Sequence, residues 1–393
     1  MADPANDMAG TSHVPRTSPA RGARSGVFSP GRVHQIAATT RAPAAAHMPD
    51  RNATDLFLGL TPDAVLNAIE ATGLRCTNAC HALNSFENRV YEVELADEAR
   101  TRRVAKFYRP ERWTAAQIRE EHAFLAALAD DEVPVCNVLA LGDGDTVASA
   151  GHILFCLFER WGGRAPEEID DELAGRLGAL AARIHNVGAR LDIKHRRRLD
   201  ADRTLEALEW LLSGTLIPTP LRDRYGRAAR ALVDLLRARL EGVDLQPIHG
   251  DLHAGNLILR EGVLHVLDFD DMVIGPPVQD LWLLLPGRDV DSRRRRALFL
   301  EGYERFRAFD RRTLNLIEPL RGLRFVTYSA WLARRWHDPI FPLTWPQFGG
   351  ESWWRDAVDD LEDALAHVDT AALGEVAEEV AVGLDDKDYF WDM

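Results

Sequence analysis

The spacing of apolar residues changes near Gly162, and the change divides the chain into two differently built parts. Over 61–71, Val65, Leu66 and Ile69 fall on one helical face, with Pro62 in the first turn, where a missing N–H costs nothing. The stretches 88–95 and 102–108 are β-prone runs joined by a short polar turn, which predicts a hairpin. A helix is predicted over 113–129. Its inner face carries Ile118, Glu121, Leu125 and Leu128, so Glu121 points with the apolar residues and Glu120 does not. Val133-Pro134-Val135 and 153–158 are expected to complete a small mixed sheet, and Trp161-Gly162-Gly163 breaks the pattern where a hinge would lie. Beyond it the spacing is helical over 167–189, 200–213, 221–241, 292–309 and 311–336. The expected architecture is α+β and bilobal: a β-rich N-terminal lobe over 51–160, a larger helical lobe over 161–393, and a cleft between them.

Composition adds bounds. Residues 1–50 are rich in Ala, Pro, Arg, Ser and Gly without apolar periodicity and cannot offset the entropy of ordering a backbone, so a disordered tail is expected. Met48 stands just ahead of the first periodic segment, so a misassigned start is the plain alternative, with a targeting peptide behind it. The net charge of -14 disfavours nucleic acid and anionic membrane surfaces as partners. Cys76, Cys80, Cys136 and Cys156 form neither a CxxC pair nor a His/Cys cluster, which argues against zinc and disulfides and for a reducing cytoplasm. No apolar run approaches the roughly 18 residues of a membrane span. A soluble, cytoplasmic monomer is the expectation.

The chemistry lies in His249-Gly250-Asp251-Leu252-His253-Ala254-Gly255-Asn256, followed by Val266-Leu267-Asp268-Phe269-Asp270-Asp271. A carboxylate, an amide five residues on and a second carboxylate closing an apolar run are the minimal set for holding magnesium and orienting a hydroxyl in phosphoryl transfer. Asp251 is placed to accept or orient the hydroxyl proton, a role that contributes about 10²- to 10⁴-fold in rate. Asn256 and Asp268 offer the hard oxygen ligands that Mg2+ prefers. Two like charges about 4 Å apart cost roughly 4 kcal/mol at an effective dielectric of 20, so ATP beside these aspartates needs metal and a lysine to invert the local sign. Lys106, on a strand between Val104 and Phe107, is the candidate; alone it would be a snorkelling surface residue, but Glu121 supplies an inward-facing partner. His249 and His253 are read as loop-ordering partners rather than metal ligands. The runs Arg196-Arg197-Arg198 and Arg293-Arg294-Arg295-Arg296 read as solvated helix faces. Trp331, Trp336, Trp345, Trp353 and Trp354 read as core, and no function is assigned to them.

Residues 83–91 (LNSFENRVY), 104–113 (VAKFYRPERW), Glu120-Glu121-His122, 249–256, 268–271, Gly275-Pro276, Gln279-Asp280-Leu281-Trp282 and 331–336 (WLARRW) resemble the aminoglycoside-phosphotransferase-type branch of the protein-kinase-like superfamily. Within it they look most like the bacterial stress response kinase A family, over about 55–370. The resemblance implies a serine/threonine protein kinase that phosphorylates itself and helps cells survive stress. It implies that Lys106 and Glu121 pair to hold the α- and β-phosphates and that Ser85 touches ATP. Asp280 resembles the helix aspartate that bonds the catalytic loop, the plain alternative being an N-cap. One departure stands out: 84–88 takes the place of a glycine-rich loop yet contains no glycine. Adenine is expected on backbone near 158–161. The acceptor stays open, because 271–280 is too short for a protein-kinase activation segment and no Ala-Pro-Glu follows, which favours a small hydroxylated substrate. A metallophosphoesterase and an ATP-binding pseudokinase scaffold are the rival classes. The first lacks a second cluster of carboxylates and histidines, and the second is disfavoured by intact Lys106, Asp251, Asn256 and Asp268.

Overall fold

The computed structural model describes residues 57–369. The segment read as a tail lies outside them. Thr61 caps helix α1 (Pro62–Glu70), its hydroxyl accepting from the Ala64 amide. The sheet that follows contains β1 (Cys76–Leu83), β2 (Arg89–Leu95), β3 (Arg102–Phe107), β4 (Ala148–Ala150) and β5 (Ile153–Glu159), in the order β1-β2-β3-β5-β4. The expected hairpin is β2–β3, with Arg89 opposite Phe107 and Glu94 opposite Arg102. Two expectations fail. Every neighbouring pair is antiparallel, so the sheet is not mixed. Nor does Val133-Pro134-Val135 join it: Val135 makes a lone parallel bridge to Val266, and Val133 and Val135 are buried in the helical core instead.

Alternation along β3 fixes what each face carries. Ala105 and Phe107 pack with Tyr91, Phe155 and Leu157 under Val65 and Ile69 of α1. Lys106 lies between them in sequence and therefore projects from the other face, opposite Cys156 in register. That second face is covered by α2 (Ala115–Asp130), whose start is set by a capping box between Thr114 and Gln117. Ile118, Glu121, Leu125 and Leu128 are all buried, as their spacing predicts.

Beyond the sheet come α3 (Asp171–Gly188), α4 (Ala201–Ser213), α5 (Thr219–Leu240), α6 (Val278–Leu284), α7 (Val290–Glu304), α8 (Ile317–Arg335), α9 (Ile340–Thr344) and α10 (Glu351–Ala366). The helix expected over 311–336 splits into a 3-10 turn, Arg311–Leu316, and α8, which carries Pro319 in its first turn, where the ring displaces no hydrogen bond. One core joins α3, α6 and α7 to Phe124, Leu125 and Leu128 of α2. A second joins α4, α5, α8 and α10 through aromatic side chains that include Phe341, Phe348, Trp353 and Trp354. The expected reading of Trp353 and Trp354 as core holds. Between α5 and α6 lie two small antiparallel ladders: β6 (Gln246–Ile248) with β9 (Val273–Gly275), and β7 (Leu257–Arg260) with β8 (Val263–Val266).

The chain leaves the sheet at Glu159 and crosses directly over β7, where Arg164 and Leu259 exchange backbone hydrogen bonds of 2.8 and 3.2 Å. A Cβ on Gly163 would lie 1.9 Å from the Ile258 Cγ2 and 3.0 Å from the Leu259 carbonyl oxygen, so only glycine permits this approach. Among the described residues no helix is long and apolar enough to cross a membrane.

Candidate active site

The strand β6 delivers the chain into 249–256. Gly250 has φ +84°, and a Cβ there would meet the Asp271 carbonyl oxygen at 2.4 Å. The turn therefore has two reasons to be glycine. Asp280, fully buried near the start of α6, accepts from the amides of His249 (3.0 Å) and Gly250 (2.8 Å) and meets the His185 Nε2 at 3.1 Å. It thus bonds the loop rather than capping its own helix, whose N-cap is Pro277. The two loop histidines are ordering groups, as expected: the His249 Nε2 lies 2.8 Å from the Leu267 carbonyl oxygen, and the His253 Nδ1 accepts from the Gly255 amide. Asn256 donates through Nδ2 to the Asp251 carbonyl oxygen (2.9 Å), which leaves its own side-chain oxygen for another partner. The Asn256 carbonyl oxygen accepts from the Leu267 amide, extending the β7–β8 ladder by one pair. That pair sets Asn256 opposite Leu267, with Asp268 the next residue at the open end of the hairpin.

Asp268 has φ 56°, a left-handed conformation that few non-glycine residues adopt. Its Oδ1 lies 2.9 Å from the Lys106 Nζ, which also sits 3.3 Å from the Asp270 Oδ1 and 3.6 Å from the Glu121 Oε1. Lysine and glutamate meet as their sequence positions suggested, but Asp268 is the nearer partner. Burial alone would lower the Lys106 pKa; Asp268, Asp270 and Glu121 outweigh it and raise it well above the ordinary range. Asp270 is buried and also receives the Asn88 Nδ2 (3.1 Å) and Arg112. Burial works against its charge, yet Arg112, Lys106 and Arg196 hold its carboxyl below the usual range.

The expectation of a solvated helix face fails at Arg196, which is buried and lies in a loop. Its guanidinium donates to the Glu121 Oε2 (2.7 Å), the Asp270 carbonyl oxygen (2.6 Å) and the Gln117 carbonyl oxygen (2.8 Å), and it stacks over Trp113. The cause is Glu120, whose carboxylate accepts from the amides of Lys194, His195 and Arg196 and pins that loop to α2. Arg296 in α7 is buried too, donating to the Gly287 carbonyl oxygen.

The Asp251 Oδ1 lies 2.8 Å from the Arg324 Nη1 on α8, and its Oδ2 lies 3.5 Å from the His253 Nε2. Burial would raise the Asp251 pKa; Arg324 and His253 hold it far below the carboxylate range. Ser85 is half-buried in the β1–β2 turn, and the residues of that turn that reach the cluster are its neighbours. Asn88 binds Asp270, while Glu87 accepts from the Trp331 Nε1 (2.6 Å) and the Arg335 Nη2 (2.5 Å). Charge pairs to α8 thus hold the glycine-free turn in place. Trp331, read from sequence as core, is only partly buried there.

Asp270, Arg112 and Arg324 were not singled out by sequence reasoning, and Arg196 was read as a solvated face. Asp270 and Arg112 stood inside the quoted motifs, but nothing in the local pattern marked Arg324. Among the described residues no three His, Cys, Asp or Glu side chains group to hold a metal unaided. An amide oxygen and one carboxylate suit a magnesium ion that keeps waters and takes phosphate oxygens, so the residues present fit that ion.

The chain matches the model of the phosphotransferase enzyme family over residues 80–317. It is 40% identical to the stress response kinase A of Escherichia coli (strain K12), over 80% of this chain and 95% of that protein. It is 38% identical to the serine/threonine protein kinase RdoA of Salmonella typhimurium, over 76% of this chain and 90% of that one. Among solved structures, the amicoumacin kinase hAmiN in complex with AMP-PNP, Ca2+ and Ami superposes with a TM-score of 0.62 at 22% identity, covering 78% of this chain and 95% of the other. The spectinomycin phosphotransferase APH(9)-Ia superposes with a TM-score of 0.53 at 13% identity, over 75% and 98%. These two share the fold. Taken with the cluster around Lys106 and Asp251, the sequence matches make the chain a phosphotransferase of that enzyme family, belonging to its stress response kinase A group.

Proposed function

We propose that the enzyme transfers the γ-phosphoryl group of ATP to serine or threonine hydroxyls of proteins, itself included, and acts in stress survival. The observation that carries this is the meeting of Lys106 with Glu121 and Asp268 beside the loop that holds Asp251 and Asn256. In this reading the nucleotide lies in the cleft between the sheet lobe and the helical lobe, expected over 51–160 and 161–393 and described over 57–369, with adenine against backbone near 158–161. Lys106, oriented by Glu121, holds the α- and β-phosphates, and Ser85 contacts them from the β1–β2 turn. Asn256 and Asp268 would hold Mg2+, which supplies charge neutralisation to the phosphates when bound. Asp251 orients the acceptor hydroxyl and receives its proton as the new O–P bond forms and the bond to the ADP oxygen breaks. The protein acceptor and the stress role rest on the names of the relatives. Small hydroxylated acceptors are the second reading, favoured by the short span from Asp271 to Asp280.

The test is transfer of labelled γ-phosphate by the full chain to itself, to generic proteins and to amino alcohols. Asp251→Asn is expected to reduce transfer by about 10²- to 10⁴-fold while nucleotide still binds. Undiminished transfer by that variant would overturn the assignment.

A further inference from the structure

One stripe of α8 leads from Asp251 toward the β1–β2 turn. Arg324, Tyr328 and Trp331 stand at i, i+4 and i+7, on one helical face. The Tyr328 and Trp331 rings stack at 5.5 Å, Trp331 meets Trp345 at 5.5 Å, and Trp345 meets Phe86 of the β1–β2 turn at 4.8 Å. An aromatic wall therefore runs from that turn to Arg324, whose side chain is 37% exposed and ends on the Asp251 carboxylate. The carboxylates around it are engaged by arginines. Glu87 pairs with Arg335, Asp338 with Arg89 and Arg109, and Asp271 with Arg112. Each of these described carboxylates already carries an arginine, although Asp271 stays half-exposed. An anionic acceptor meets a partly exposed guanidinium that can pair with its acid group while the Asp251 carboxylate turns to the acceptor hydroxyl.

We infer that Arg324 selects the acceptor: it receives a carboxylate or phosphate carried next to the reacting hydroxyl, and in doing so releases Asp251 to that hydroxyl. The inference rests on the reading of Asp251 given under Proposed function. It predicts acceptors whose hydroxyl has an acidic neighbour, either an acidic residue beside a serine or the acid group of a small hydroxy acid. Arg324 acts on acceptor binding, so its loss moves KM more than kcat.

The experiment uses the full chain with ATP and Mg2+. Acceptors are matched serine peptides flanked by Glu, Ala or Lys, and small hydroxy acids set against amino alcohols. The wild type is expected to favour Glu-flanked over Lys-flanked peptides at least tenfold in kcat/KM, or hydroxy acids over amino alcohols by the same margin. Arg324→Gln is expected to abolish the preference chiefly through KM, and Arg324→Lys, which keeps the charge, to retain part of it. Unfolding midpoints of both variants, compared with that of the wild type, separate a lost preference from lost folding. Equal use of acidic and basic acceptors by the wild type, or an unchanged preference in Arg324→Gln, overturns the inference. Autophosphorylation lost in Asp251→Asn keeps the underlying reading standing whichever way the acceptor result falls. No Asp251-dependent transfer to any acceptor, itself included, removes both.

Discussion

Behind Lys106 lies a histidine that no step of the reaction uses. His122 is buried, its Nδ1 2.7 Å from the Thr146 hydroxyl and its Nε2 3.3 Å from the Tyr108 hydroxyl. Burial, with Lys106 and Arg196 nearby, lowers its pKa to about 3. In the unfolded chain the imidazole titrates near about 6.5. Between those values the unfolded state binds the extra proton, so His122 contributes stability that is complete above about pH 6.5 and is lost as the pH falls toward 3. At pH 5 the loss amounts to about 2 kcal/mol. Urea unfolding at pH 7.5 and pH 5 checks this: His122→Gln is expected to shrink the difference between the two pH values by about that amount. An unchanged difference would mean that the group responsible lies elsewhere. At this scale the sequence was legible where chemistry is local. Asp251, Asn256 and Asp268 belong to one hairpin and its approach, so their spacing along the chain carries their geometry. Arg196 and Arg324 were illegible because each meets its carboxylate across more than 70 residues, and an arginine in a charged run looks the same whether it faces water or Glu121.

Among elements, those with a strong period declared themselves: α1, the β2–β3 hairpin and α2 lie within a few residues of their apolar spacing. The strand β1 did not. Its sequence, CTNACHAL, lacks alternation, it is largely exposed toward its end, and a register shift between Cys76 and Cys80 breaks its pairing. Val133-Pro134-Val135 misled for a related reason: a short apolar run shows burial without showing which core buries it. The crossing at Gly163 gives a prediction at this scale. Gly163→Ala should destabilise the protein by about 1–3 kcal/mol by driving a methyl into Ile258. Ile258→Ala removes the opposing methyl, so the double variant should be more stable than the sum of the single losses allows. Denaturant titrations of the four proteins read the coupling directly, and strict additivity would refute the clash.

For the molecule as a whole, the fold class was legible because both periods were present and changed once along the chain. The contacts that hold the lobes together were not, since they are single charged residues far apart in sequence. Asp338, between α8 and α9, is buried and pairs with Arg89 of β2 (3.1 Å) and with Arg109 (2.9 Å), which is itself buried. Removing one partner of a buried ion pair typically costs about 3–5 kcal/mol, because the other charge stays buried. Asp338→Asn should therefore lower the thermal midpoint by several degrees, and a midpoint equal to that of the wild type in a thermal scan would show the contact to be dispensable. A last consequence concerns α2. It sits in the core of the helical lobe through Phe124, Leu125 and Leu128, while Glu120 grips three successive amides and Glu121 grips Arg196. A kinase that silences itself by rotating this helix outward must let go of all of these at once. Here the helix is anchored from both sides, so swinging it outward means breaking its packing and both sets of glutamate bonds together.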